Sequence, residues 1–206
     1  MVNAASPPRR LAVMASGRGS LLQAIISSGV PLQLVVADQP CPALSTAQAA
    51  NIPTTLVDRR DFGFRPQAGE NWQRQAFTQQ ICLILQQHQI DLIAMAGFFT
   101  VLHADIFNEY LNRILNIHPA LLPAFPGATA VSDALAARVS QTGTTIHLAT
   151  PIVDDASSII AQVKVNVHPH DTVDSLWERI KHTERQLYPE IINQIMTGAI
   201  TLPKSA

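Results

Sequence analysis

Arg113-Ile114-Leu115-Asn116-Ile117-His118-Pro119-Ala120-Leu121-Leu122-Pro123-Ala124-Phe125-Pro126-Gly127 is the stretch from which the fold can be read. Its apolar start has the character of a buried strand, and Asn116 and His118 interrupt the far end. Residues two apart on a strand share a face, so Asn116 and His118 point one way and Ile117 the other. Pro119 has no N–H for a further rung, so strand becomes loop at His118. Open α/β sheets place their chemistry at the carboxyl ends of parallel strands. An amide beside an imidazole there offers a donor for an oxyanion and a carrier for a proton. The same residues also suit a strand end capped by two polar groups, with a proline-braced loop behind it. Taken alone they leave both readings open.

Working outward, Leu11 to Ala15 reads as a buried strand that runs into Ser16-Gly17-Arg18-Gly19-Ser20, and Leu21 to Ile26 has helical character. Strand, glycine loop and helix begin a nucleotide-type βα unit. Leu32 to Ala37 and Thr54 to Val57 are further strands, with a helix of small residues from Ala43 to Ala50 between them. Asp58 to Gly69 is charged, aromatic and glycine-bearing, hence a loop. Trp72 to Gln89 reads as an amphipathic helix with Phe77, Ile81, Ile84 and Leu85 toward the sheet. Asp91 to Gly97 is a central strand, apolar enough to be covered on both faces. Helices follow at Ala104 to Tyr110 and Val131 to Val139. Thr144 to Ala149 and Ile159 to Val165 are strands too close in sequence for an intervening helix. Thr172 to Gly198 is helical, with a break expected at Tyr188-Pro189.

This alternation predicts an α/β fold: a doubly wound, mostly parallel sheet with at least one antiparallel pairing late in the chain. No repeat, linker or low-complexity tract divides residues 1–206, so one domain is expected, with 1–8 and 203–206 as flexible ends. The 206 residues are 47% apolar with a formal charge of -1. Such a balance describes a soluble globular protein and points to neither nucleic acid nor an anionic membrane as a partner. Cys41 and Cys82 stand outside any metal-ligand spacing and suit buried free thiols in a reducing cytoplasm, with a disulfide as the alternative. Met1 to Pro8 lacks the apolar centre of a signal peptide, and no apolar run reaches membrane-spanning length.

Asn116 to Gly127 resembles the signature of the folate-dependent formyltransferases, and most of all the members that formylate glycinamide ribonucleotide in purine synthesis. The resemblance extends over roughly Arg10 to Gly198. It implies a Rossmann-like sheet and transfer of a formyl group from 10-formyltetrahydrofolate, as co-substrate, to the amine of the ribonucleotide. It further implies small-molecule substrates, no metal, a cytoplasmic location, and a monomer or homodimer. By this resemblance Asn116 donates to the tetrahedral oxyanion, His118 assists proton transfer, and a carboxylate in Pro151 to Ser158 orients His118.

That carboxylate is either Asp154 or Asp155. The loop has two aspartates, lacks the family's glycine, and is one residue longer. Counting from His147 selects Asp154 and counting back from Gln162 selects Asp155; the Val153-Asp154 step favours Asp154. Ser16 to Leu21 resembles the family's phosphate loop, with Leu21 in place of an asparagine. Gly17, Gly19, Ser20 and Leu21 would present amides to the phosphate. On the late helix, Lys181 would face the phosphate and Glu184 the ribose, although by spacing alone the two suit a solvated salt bridge. Ala96 to Leu102 resembles the segment whose main chain reads the pterin. This assigns folate to Phe99, Thr100, Val101 and Leu102, with Thr100 where arginine is usual.

These departures also admit other readings: a non-catalytic paralogue that binds nucleotide or folate, or a formyltransferase for another amino sugar nucleotide. His168-Pro169-His170-Asp171 reads as a polar turn rather than a metal site, and His147 as a hydrogen-bonded sheet residue.

Overall fold

The computed structural model describes residues 10–65 and 72–204. The arm at 1–8, the end of the loop expected through Gly69, and residues 205–206 lie outside the described residues. Seven strands form one sheet in the order β3-β2-β1-β4-β5-β6-β7. They are β1 (Leu11–Ala15), β2 (Leu34–Ala37), β3 (Thr54–Leu56), β4 (Leu92–Met95), β5 (Ile114–His118), β6 (Gln141–Leu148) and β7 (Ile159–Asn166). From β3 to β5 every pairing is parallel, with Val13 beside both Val35 and Ala94. β5–β6 and β6–β7 are antiparallel, so the late pairing expected from the sequence occurs twice.

Alternation along β1 divides the core. Leu11, Val13 and Ala15 face α1 (Ser20–Ser27), α2 (Pro42–Ala49) and α6 (Val173–Met196), where they meet Leu22, Ile25, Ala43, Tyr188 and Ile192. Ala12 and Met14 face α3 (Arg74–Gln87) and α4 (Ile106–Tyr110), meeting Phe77, Ile81, Leu85 and Ile106. Helices on both faces give the doubly wound architecture that the alternation of elements predicts. α5 (Ala130–Ala136) closes a smaller cluster with β7 and α6 around Val131, Val165, Leu176 and Ile180. Chain order reverses between β1 and β4, and the crevice at such a reversal is where this class of sheet receives ligands.

One helical expectation is corrected. α6 does not break at Tyr188-Pro189, since Pro189 lies inside the helix. Proline removes one intrahelical donor and crowds the preceding turn. Burial of Tyr188, Pro189, Ile191, Ile192 and Ile195, with the Tyr188 hydroxyl donating to the Leu115 carbonyl at 3.0 Å, outweighs that loss.

Candidate active site

The glycine loop opens α1 as the sequence suggests. Gly19 is the N-cap at φ 77, and no side chain caps the helix, so its first-turn amides are left for another acceptor. Glycine is required at this position. A Cβ on Gly19 would stand 2.9 Å from the Ala43 Cα, because α2 starts against the loop, with Ala43 donating its N–H to the Gly17 carbonyl at 3.2 Å. Leu21 turns its side chain into the core, so it can offer the loop only its amide.

The spacing-based pairing of Lys181 with Glu184 is replaced by two separate contacts. Lys181 pairs one turn back with Glu178 at 2.9 Å and lies 4.7 Å above the Trp177 ring. Hydrogen bonding from Lys181 holds the Glu178 carboxyl low, and Arg185 and Arg18 of the glycine loop add to that field. Glu184 instead points inward to Thr144 Oγ1 at 3.5 Å. Burial is the largest influence on it and pushes its pKa up to about 7, against smaller lowering effects from Thr144, Lys181 and Arg185.

At the end of β5 the two polar residues share a face as expected. Nε2 of His118 lies 2.8 Å from the Phe125 carbonyl, which can only accept. Nδ1 lies 3.3 Å from Oδ2 of Asp154, so both ring nitrogens face acceptors. Gly127 donates its N–H to the same Asp154 oxygen at 2.7 Å. The Phe125-Pro126-Gly127 ending thus folds back to hold both members of the pair. Asp154 adopts φ 53, a left-handed conformation that aspartate tolerates better than most residues, in the loop that has no glycine. Asp155 is occupied elsewhere. It caps the short 3-10 turn Ala156–Ser158, accepting from the Ser157 N–H at 2.9 Å, and it meets Thr150 at 3.2 Å. Geometry therefore puts Asp154, not Asp155, beside His118.

His147 is the hydrogen-bonded sheet residue that the sequence suggests, and its partner is Asn116. It pairs with Asn116 across β5–β6, and paired residues share a face. Its Nδ1 faces the Leu148 carbonyl at 3.1 Å, which fixes the proton there and leaves Nε2 bare. Asn116 Nδ2 donates to that Nε2 at 3.1 Å, and Asp154 Oδ1 lies 3.7 Å from it. Burial lowers the His147 pKa, which keeps the ring an acceptor. The signal in the sequence was the β5–β6 register, which is set by tertiary pairing rather than by local pattern.

After β4, Phe98 and Thr100 are buried while Phe99 and Val101 are 70% and 52% exposed. Leu102 is half-buried. Thr100 donates to Asp38 and accepts from Arg59 Nη1 at 2.7 Å. In the turn at His168, Asp171 accepts the His168 N–H and pairs with Arg179, both at 2.7 Å. That carboxylate is committed to the turn.

The geometry assembles an anion loop, a His–Asp pair beside an amide, and an open main-chain edge at the carboxyl ends of β1, β5 and β4. Comparison with known proteins gives the family. Residues 9–192 match the formyl transferase family model. The phosphoribosylglycinamide formyltransferase of Mycobacterium tuberculosis is 37% identical over 202 residues, 96% of this chain and 89% of that protein. Its counterpart in Bacillus subtilis is 35% identical over 195 residues, 91% of this chain and 95% of that protein. The crystal structure of the Streptococcus pneumoniae phosphoribosylglycinamide formyltransferase superposes with a TM-score of 0.80 at 34% identity, covering 91% of this chain and 98% of that one. With the signature, the sheet order and nearly the whole length in agreement, the chain belongs to the formyl transferase family.

Proposed function

We propose that this chain transfers a formyl group from 10-formyltetrahydrofolate to the amine of glycinamide ribonucleotide, as a cytoplasmic enzyme of purine synthesis working as one domain. The observation that carries the reading is the convergence of Asn116, His118 and Asp154 at the end of β5. Asp154 Oδ2 lies 3.3 Å from His118 and Asp154 Oδ1 lies 3.5 Å from Asn116. In the reaction the amine nitrogen bonds to the formyl carbon, and the carbonyl oxygen becomes an oxyanion. One Asn116 N–H is engaged by His147, and the other faces Asp154 at a length where a hydrogen bond is weak. That second N–H is the one available to the oxyanion.

His118 carries protons between the attacking amine and folate N10, exchanging one of its present contacts for one to substrate. Asp154 holds the ring and relays protons through water. The C–N10 bond then breaks and N10 leaves with a proton. Because the donor is already activated, no role falls to a metal. The ribonucleotide phosphate sits on the amides of Gly19, Ser20 and Leu21, beside Lys181, with Gly17 shaping the turn and Glu184 on the ribose side. Phe99 to Leu102 receive the folate.

The test is a formyl-transfer assay on purified protein with both substrates. Transfer is expected, and His118→Ala, checked for intact circular dichroism, is expected to lose at least about a hundredfold in kcat. A folded His118→Ala protein with the native rate would overturn the mechanism.

A further inference from the structure

In residues 98–102 Phe98 and Thr100 are buried while Phe99 and Val101 are exposed, an alternation like that of a strand, and among the described residues no strand pairs with the segment. Among the described residues, its main-chain N–H and C=O groups enter no hydrogen bond with other backbone. An unpaired edge of this kind is free to read a planar ring through main-chain donors and acceptors. Its conformation must then be fixed by side chains. Phe98 is buried by packing, and the other inward residue, Thr100, is held by polar contacts.

Those contacts converge from distant parts of the chain. Arg59 Nη1 donates to Asp38 Oδ2 at 2.9 Å and to Thr100 Oγ1 at 2.7 Å, while Nη2 donates to Gln39 Oε1 at 2.9 Å. Thr100 Oγ1 in turn donates to Asp38 Oδ2. Asp38 is fully buried at the end of β2, and its other oxygen is buried with no hydrogen-bond partner. The backbone N–H of Arg59 also reaches the Asp38 carbonyl at 3.0 Å, and the Phe64 ring lies 4.4 Å from its guanidinium carbon. The guanidinium is therefore engaged by Asp38, Thr100, Gln39 and Phe64 and stands only 19% exposed, so it is fitted to position the chain rather than to meet a ligand.

We propose that Arg59, anchored on Asp38, is a positioning residue that holds Thr100 and thereby sets the Phe99–Leu102 main chain for the folate ring. The inference rests on the folate reading above. A merely structural ion pair would affect both substrates alike; a positioning role affects one.

The test measures KM for each substrate, kcat, and folic acid affinity by calorimetry, on the native enzyme and three variants. Thr100→Val keeps the shape and removes the hydroxyl. Asp38→Asn with Arg59→Met removes both charges together, which avoids stranding a buried carboxylate. Thr100→Ser restores the hydroxyl. The first two are expected to raise folate KM and the folic acid dissociation constant at least tenfold, with ribonucleotide KM within twofold and the loss in KM rather than kcat. Thr100→Ser is expected to bring folate KM back within threefold of native. Unchanged folic acid affinity in Thr100→Val, or equal rises in both KM values, overturns the proposal while the transferase reading stands. A native protein that binds folic acid but transfers no formyl group overturns the transferase reading and leaves the proposal to be decided by the affinity ratios. A native protein that binds no folic acid overturns both.

Discussion

Gly127 donates its backbone N–H to Asp154 Oδ2 at 2.7 Å, and that same oxygen stands 3.3 Å from the imidazole of His118. The loop after β5 thus reaches back to fix the carboxylate that lies beside the histidine at the end of β5. Neighbouring Asp155 spends its oxygens on Ser157 and Thr150.

The two aspartates should accordingly separate in mutagenesis. Asp154→Asn is expected to lower kcat at least about a hundredfold, since an amide cannot balance a protonated ring or relay its proton. Asp155→Asn should stay within about threefold of native kcat, with a modest fall in Tm from the weakened cap. Steady-state kinetics and a thermal melt on both variants decide it. The reverse ranking would move the role to Asp155.

His147→Leu tests a contact that local sequence pattern hides. Removing the bare Nε2 frees the half-buried Asn116 amide to rotate and takes away its nearer acceptor, at 3.1 Å. We expect kcat to fall roughly tenfold or more, less than the roughly 2.7–4 kcal/mol that complete removal of an oxyanion donor typically costs, with smaller changes in either KM. A native kcat would show that Asn116 keeps its orientation unaided.

Glu184 should impose a pH dependence on stability. Its pKa in the folded protein is about 7 against an ordinary 4.5, so the native state holds a proton that the unfolded chain has already released. The contribution is present in full below about pH 4.5 and is lost as pH rises toward 7, to a total of up to about 3 kcal/mol. Glu184→Gln should remove it. Measured by denaturant melts, the variant's stability relative to native should climb between pH 4.5 and 7 and then level off. A flat difference across that range would refute the assignment.

Gly19→Ala is expected to weaken ribonucleotide binding and stability together. A side chain at φ 77 costs roughly 1–2 kcal/mol in backbone strain, and its Cβ would press on the Ala43 Cα at 2.9 Å. The helix start must then shift, and the amides of Ser20 and Leu21 with it. A rise in ribonucleotide KM of at least about tenfold, with folate KM little changed, is the outcome to look for.

Much of this molecule is written locally. The proline after His118 and the two-residue spacing from Asn116 mark the strand end, and glycine at 17 and 19 marks the loop before α1. The choice between Asp154 and Asp155 was less legible, because two counts across a loop of altered length disagree and only folding shows which carboxylate adopts φ 53. Pro189 misleads because propensity concerns an isolated helix, whereas burial of α6 against the sheet decides. The partners of His147 and Arg59 could not be found by pattern, since they lie 31 and 41 residues away in sequence.

The antiparallel placement of β6 against β5 has a bearing on how the molecule comes into being. The glycine loop before α1 and the carboxyl end of β4 are complete within the first hundred residues. His147 and Asp154 belong to the last third, and Tyr188 of α6 reaches back to the Leu115 carbonyl across 73 residues. Contacts of such separation close late, because loop entropy opposes them until the nearer pairings are in place. A chain emerging from synthesis therefore carries the glycine loop and the edge after β4 well before Lys181 and Glu184 of α6 or the carboxylate beside His118. The site is assembled only when the final hairpin and helix have docked, so in the unfinished protein neither the glycine-loop side nor the His118 side has all its residues in place.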